Sequence, residues 1–112
     1  MKIEERKVGS HLLIRILESR LGADRAAAFK ETIGSFIQRG NLHLVLDLSC
    51  VEFIDSSGLG TILSVLKRLG RDGELVVCGV TDPVADMLKL TRMDRIFTVY
   101  RSVEDALNAN CK

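Results

Sequence analysis

The chain has 112 residues, with 16 basic and 15 acidic side chains that give a formal net charge of +1. This length predicts a single domain over residues 1–112 that buries roughly two-thirds of its unfolded surface. The balanced charge and the few aromatic residues, four Phe and one Tyr, disfavour a nucleic-acid groove. No apolar run approaches the ~20 residues needed to cross a bilayer, and the first residues lack the apolar segment of a signal peptide. We therefore expect no nucleic-acid partner and no membrane association.

The three cysteines, Cys50, Cys78 and Cys111, are odd in number and widely spaced. This pattern fits reduced thiols in a cytoplasmic protein better than a disulfide framework or a metal site. We interpret Cys50 and Cys78 as core or near-core thiols. We expect neither a cofactor nor a metal.

Strand and helix patterns alternate along the chain. Apolar alternation and apolar runs predict strands at residues 2–7, 11–17, 42–48, 74–78 and 96–100. Four apolar stripes predict helices: Ala26, Phe29, Ile33, Phe36 and Ile37; then Leu59, Ile62, Leu63, Leu66 and Leu69; then Val84, Met87 and Leu88; then Val103, Ala106 and Leu107. Such alternation implies right-handed crossovers. We predict an α/β fold with a mostly parallel four- to five-stranded sheet, about four helices and an antiparallel first strand.

Residues 53–60, Phe-Ile-Asp-Ser-Ser-Gly-Leu-Gly, join the central strand to the second helix. Asp and Ser are preferred at helix starts because a side-chain oxygen accepts a bond from an otherwise unpaired N–H group. Gly58 leaves the backbone uncovered beside them. A hydroxyl group here faces solvent at the positive end of the helix dipole. On these residues alone, helix capping by Asp55 and Ser56 is the simplest interpretation.

This stretch and its flanks resemble the STAS domains of bacterial anti-sigma factor antagonists of the sporulation and general-stress type. The resemblance covers the chain from residue 11 onward. It rests on Leu46-Asp47-Leu48, residues 51–60, residues 73–78, Pro83, residues 88–93, Ile96-Phe97 and residues 102–107. It implies the STAS fold and a regulatory binding protein rather than an enzyme.

The resemblance also implies a partner switch in signal transduction. In the family, the unphosphorylated antagonist binds a serine kinase of the histidine-kinase ATPase fold that is also the anti-sigma factor, and this releases the sigma factor for transcription. The kinase then phosphorylates the hydroxyl residue directly after the Asp, here Ser56, and a PP2C-type phosphatase removes the phosphate. The implied partner-binding residues are Asp55, Ser56, Ser57, Gly58 and Leu59. We expect a monomer or a weak dimer.

One position departs from the family pattern. Many members have an acidic residue after the second strand, in a Gly-Glu-Leu-Asp-like stretch near the phosphorylation site. The comparable residues here are 19–22, Ser-Arg-Leu-Gly, so Gly22 stands where the acidic residue would be. Asp24 is a candidate to replace it in space. The change concerns partner docking more than the fold.

Two other functions fit parts of the pattern. One is a STAS scaffold or transporter-associated subunit without a phospho-switch, which the intact Asp-Ser-Ser sequence disfavours. The other is a serine hydrolase, but Ser57 lacks the Gly-x-Ser-x-Gly context of a nucleophile elbow. The candidate bases, His11 and His43, lie in strand patterns, and we interpret them as surface or strand-edge residues.

Overall fold

The computed structural model describes residues 1–110. In chain order it contains β1 (Ile3–Val8), β2 (His11–Ile16), β3 (Arg20–Leu21), α1 (Ala23–Gln38), β4 (His43–Asp47), β5 (Phe53–Ile54), α2 (Ser56–Leu69), β6 (Glu74–Cys78), α3 (Asp82–Leu90), β7 (Thr98–Tyr100) and α4 (Val103–Asn110). Among these residues, no helix combines the length and the apolar character needed to cross a membrane.

Five of the strands form one sheet in the order β1-β2-β4-β6-β7. The edge strand β1 is antiparallel to β2, and the other neighbours are parallel. Parallel neighbours require crossover connections, which α1, α2 and α3 supply. The predicted α/β fold with a mostly parallel sheet and four helices is thus confirmed for the described part of the chain.

Apolar side chains cover both faces of the sheet. On one face, strand residues such as Ile14 and Leu46 pack with Phe29 of α1 and Leu59 of α2, and none of these is more than 1% exposed. On the other face, a smaller cluster places Ala106 of α4 against the strands. Strands buried on both faces are apolar in consecutive positions, which explains the unbroken run in β6.

An ion pair between Arg15 and Asp47 links β2 to β4 at their carboxyl ends. The Arg15 Nε donates to Asp47 Oδ2 at 2.9 Å, and Ser49 N donates to Oδ1 at 2.9 Å. The hydrogen bond with Asp47 is the main reason that the pKa of Arg15 is raised. Because the buried carboxylate is bound through both oxygens, it fixes the point where the chain leaves β4.

Several predicted details differ from the structure. The last strand is shorter than predicted because residues 93–95 form a 3₁₀ turn and Phe97 enters the core. The two-residue strands β3 and β5 were not predicted, since two residues carry no periodicity. On α2 the buried stripe includes Val65, whereas Leu63 and Leu66 lie at its partly exposed margin.

The interpretations of His11 and Cys50 are wrong. His11 is only 3% exposed, because it begins a central strand and its Nε2 lies 2.7 Å from Glu74 Oε1. Cys50 is exposed because it lies in the turn after β4. Cys78 is buried as predicted, and burial raises the pKa of its thiol to about 12. Cys111 lies outside the described residues.

Candidate functional site

The Asp-Ser-Ser turn lies where two short strands lead into two helices. Strands β3 and β5 pair in parallel, with Arg20 opposite Phe53 and Leu21 opposite Ile54. The chain passes from β3 into α1 and from β5 into α2. The pairing therefore brings the first turns of α1 and α2 together.

The carboxylate of Asp55 caps both helices. Its Oδ1 accepts a hydrogen bond from Gly58 N at 2.9 Å, within the first turn of α2. Its Oδ2 accepts one from Ala23 N at 3.2 Å, the first residue of α1 and 32 positions away in sequence. The bond from Gly58 is the main cause that lowers the pKa of Asp55, and the bond from Ala23 adds to it. Asp55 is therefore held as a carboxylate between two helix N-termini, where negative charge is favoured.

Gly22 explains why α1 depends on a distant cap. It occupies the cap position of α1 and supplies no side-chain hydrogen bond. A Cβ atom there would lie 3.0 Å from Asp55 Oδ2 and 3.5 Å from Asp24 Oδ1. The departure at Gly22 thus leaves room for the Asp55 carboxylate. Asp24 adds an acidic group beside this position, in the first turn of α1.

Ser56 and Ser57 are the exposed hydroxyl residues of the turn. Asp55 is the cap residue of α2 and Ser56 is its first helical residue, so capping by Ser56 is wrong and capping by Asp55 is confirmed. Among residues 1–110, the Ser56 and Ser57 hydroxyl groups have no hydrogen-bond partner. Both hydroxyl groups are therefore available to bind or react with another molecule.

Gly58 and Leu59, the other residues of the implied partner surface, are buried. Leu59 is 1% exposed and belongs to the core. A Cβ atom on Gly58 would overlap the carbonyl oxygen of Leu21 and lie 2.9 Å from Ile54 Cγ1. Leu59 therefore presents no side-chain surface to a partner in this conformation, and Gly58 has no side chain to present. Their role is to seat the first turn of α2 against β3.

The structure adds Phe53 and Arg20 to the surface beside the turn. Phe53 is 39% exposed, and the Arg20 guanidinium lies 4.4 Å from the centre of its ring. Cation–π contacts of this kind contribute about 0.5–1 kcal/mol at exposed sites. The alternation of Phe53 with the buried Ile54 is the sequence signal that would have indicated this exposure.

Asp55→Asn is expected to destabilise the fold at neutral pH. An Asn side chain can still accept from Gly58 N, but its amide nitrogen cannot accept from Ala23 N. The folded-state pKa of Asp55 lies below the ordinary value of 3.8, so its stabilising effect is complete above that value and disappears as the pH falls through the folded pKa. Urea denaturation midpoints should therefore differ at neutral pH and converge in acid. A constant difference at every pH would contradict the double-cap assignment.

A sequence model of the STAS domain matches residues 2–106, and the chain therefore belongs to the STAS-domain family. It is similar to two proteins named as antagonists of anti-sigma factors. The anti-sigma-B factor antagonist of Listeria monocytogenes is 29% identical over 111 residues, which are 98% of this chain and 95% of that protein. The anti-sigma-F factor antagonist RsfB of Mycobacterium tuberculosis is 30% identical over 82 residues, 73% and 67% of the two chains.

Solved structures share the fold. The chain superimposes on an anti-sigma factor antagonist from Mycobacterium paratuberculosis with a TM-score of 0.89, at 24% identity over 99% of this chain and 94% of the other. Its TM-score to the antagonist SpoIIAA in its unphosphorylated form is 0.79, at 17% identity, with coverages of 96% and 95%. A sulfate transporter family protein of Wolinella succinogenes gives 0.77, also at 17%, with coverages of 91% and 85%. At these identities the likeness shows the fold alone.

Proposed function

We propose that this chain is a phosphorylation-regulated anti-sigma factor antagonist. In this proposal the unphosphorylated form binds a serine kinase that is also the anti-sigma factor, and thereby releases the sigma factor. The observation that supports it most is the exposed and unbonded hydroxyl group of Ser56, directly after the double cap Asp55. The names of the relatives from Listeria monocytogenes and Mycobacterium tuberculosis support the same function.

The geometry supports a switch of binding rather than of folding. A phosphate on Ser56 brings about −1.5 to −2 charges and three strong acceptor oxygens. It lies at the positive end of α2, which tolerates an anion. Inside an interface, however, the phosphate and the Asp55 carboxylate lose water together, and this desolvation is costly. A loss of about 1.4 kcal/mol in binding reduces affinity tenfold.

The proposed partners are those that the resemblance to anti-sigma factor antagonists implies. The kinase has the histidine-kinase ATPase fold and docks on Asp55, Ser56 and Ser57. The buried residues Gly58 and Leu59 support the turn by packing against the core. A PP2C-type phosphatase removes the phosphate from Ser56. The whole chain acts as one STAS domain and as a non-enzymatic binding protein. We infer a cytoplasmic location, where sigma factors act.

The test is to identify the kinase and the acceptor together. Affinity purification from a lysate of the source bacterium, followed by mass spectrometry, is expected to recover a small serine kinase of the ATPase fold. Incubation with that kinase and ATP should add one phosphate, and peptide mapping should place it on Ser56. Phosphate on Ser57, Ser64 or Ser102 would contradict the assignment. Ser56→Ala should remain unmodified while retaining kinase binding, because its hydroxyl makes no internal bond.

The same purification distinguishes the second candidate function from the first. A STAS scaffold or transporter-associated subunit without a phospho-switch shares the fold, as the likeness to a sulfate transporter family protein indicates. Such a protein should co-purify with a membrane transporter instead of a kinase. Its exposed serines should also remain unmodified in cells.

A further inference from the structure

A second polar cluster lies at the other end of the sheet from Ser56. His11, His43 and Glu74 are the first residues of β2, β4 and β6, three adjacent parallel strands. Ser56 begins α2, whose 14 residues lead back towards the start of β6. At a rise of 1.5 Å per residue, this helix is about 20 Å long. The cluster is therefore separate from the proposed phosphorylation site.

The strand register brings these three residues to one level. His43 pairs with Glu74 across β4 and β6. Leu12 pairs with Leu44 across β2 and β4, so the preceding residues His11 and His43 are also neighbours. Side chains at the same register on parallel strands point to the same face of a sheet. The cluster is thus a product of the sheet itself and not of a flexible loop.

The ligand-type atoms of the three side chains converge. The His11 Nε2 lies 2.7 Å from Glu74 Oε1, and His43 Nδ1 lies 3.5 Å from the same oxygen. One nitrogen or oxygen from each residue lies within 4.8 Å of those of the other two. The His11 side chain is 4% exposed, whereas those of His43 and Glu74 are 45% and 38% exposed. One member is therefore fixed in the core, and two can adjust at the surface.

We propose that His11, His43 and Glu74 bind a divalent transition-metal ion of the Zn²⁺ type. Two imidazole nitrogens and one carboxylate oxygen form a donor set that such ions accept, at about 2.0–2.2 Å from the metal. In a tetrahedral site with bonds of that length, ligand atoms lie about 3.4 Å apart. The distance between His43 and Glu74 already matches this value, and a small rotation of the exposed Glu74 opens its contact with His11.

The ion takes the place of a proton in the cluster. The short contact between His11 Nε2 and Glu74 Oε1 requires a shared hydrogen, because neither bare atom can donate without one. When Nε2 binds the ion, the imidazole carries its hydrogen on Nδ1, where Ser10 Oγ lies 3.5 Å away and can accept it. Three protein ligands leave a fourth position for water or for a donor from another molecule. The bound ion would join the starts of three strands and stabilise the folded state by mass action.

The test uses Zn²⁺ alone as the probe, in a Cys50→Ser, Cys111→Ser background. Cys50 is removed because it is exposed and could bind Zn²⁺ by itself. Cys111 is removed because its thiol is also a potential zinc ligand. Calorimetric titration should show one equivalent of Zn²⁺, and the thermal midpoint should rise with Zn²⁺ but not with Mg²⁺. The chain has two histidines, so NMR signals of both imidazole rings should shift with the same stoichiometry.

His43→Gln is the decisive variant, because the half-exposed side chain can be changed without opening the core. It is expected to weaken Zn²⁺ binding at least tenfold and to abolish the rise of the thermal midpoint, with an unchanged circular dichroism spectrum. Glu74→Gln should behave in the same way. Glu52→Gln, which removes an exposed carboxylate away from the cluster, is the matched control and should bind like the background. The absence of Zn²⁺ binding, or equal binding by the His43 variant, would overturn the proposal.

Discussion

Ser56→Glu is expected to weaken binding to the proposed kinase at least tenfold, or about 1.4 kcal/mol. The new carboxylate lies beside Asp55, and both must lose water when the partner covers the turn. Stability should change little, because an anion in the first turn of a helix is favourable by ~0.3–1 kcal/mol at low salt. Repulsion from Asp55 opposes that benefit. Calorimetric titration against the kinase and thermal denaturation measure the two effects separately.

A matched control distinguishes the effect of a charge at the turn from the effect of a change in net charge. Asn108→Glu adds the same carboxylate to the exposed surface of α4, on the opposite face of the sheet from α2. This variant should bind the kinase like the wild type, and Ser56→Ala should do the same. If Ser56→Glu also binds with unchanged affinity, the turn is not the interface, and the scaffold function becomes the better proposal.

Gly58→Ala is expected to be the most destabilising single-methyl change in the site. The added Cβ overlaps the backbone carbonyl oxygen of Leu21, which cannot move without shifting β3. Overpacking of this kind costs about 1–3 kcal/mol and sometimes more. The variant should also loosen both caps of Asp55, because they depend on the close approach of α2 to β3.

Gly60→Ala supplies the matched control two residues later in the same helix. Apart from the adjoining residues and the backbone of α2 itself, no atom lies within 4 Å of a Cβ at Gly60, and the residue is exposed. Ala is favoured over Gly in helix interiors by about 0.5–1 kcal/mol, so this variant should be more stable than the wild type. Urea denaturation of both variants tests the contrast. Equal effects of the two substitutions would show that Gly58 has no packing role.

Much of the fold follows from local patterns in the sequence. The stripe that includes Phe29 and Ile33 predicts α1, and the apolar run after Glu74 predicts a strand covered on both faces. The cap at Asp55 also follows from a local rule, because the residue before an apolar helical stripe is a common cap position. These predictions need only neighbours within a few positions along the chain.

The contacts that sequence reasoning missed are distant ones. The bond from Ala23 N to Asp55 spans 32 positions, and the contact of His11 with Glu74 spans 63. Sequence periodicity carries no information on such pairs, so the strand pattern predicts His11 as a surface or strand-edge residue. The burial of Gly58 was missed for the same reason. The surface that it packs against, Leu21, belongs to a strand of two residues.

The double cap at Asp55 limits how sequences of this fold can vary. A larger side chain at residue 22 crowds the carboxylate at residue 55, and a side chain at residue 58 displaces residue 21. Substitutions at positions 22, 55 and 58 are therefore expected to depend on one another, although more than thirty residues separate the first position from the others. We expect an acidic side chain at position 22 to crowd the Asp55 carboxylate away from Ala23 N and to cap α1 itself. Alignments of the family should accordingly show correlated substitution at these three positions. Such correlation would reveal the contact between the starts of α1 and α2, which a single sequence does not show.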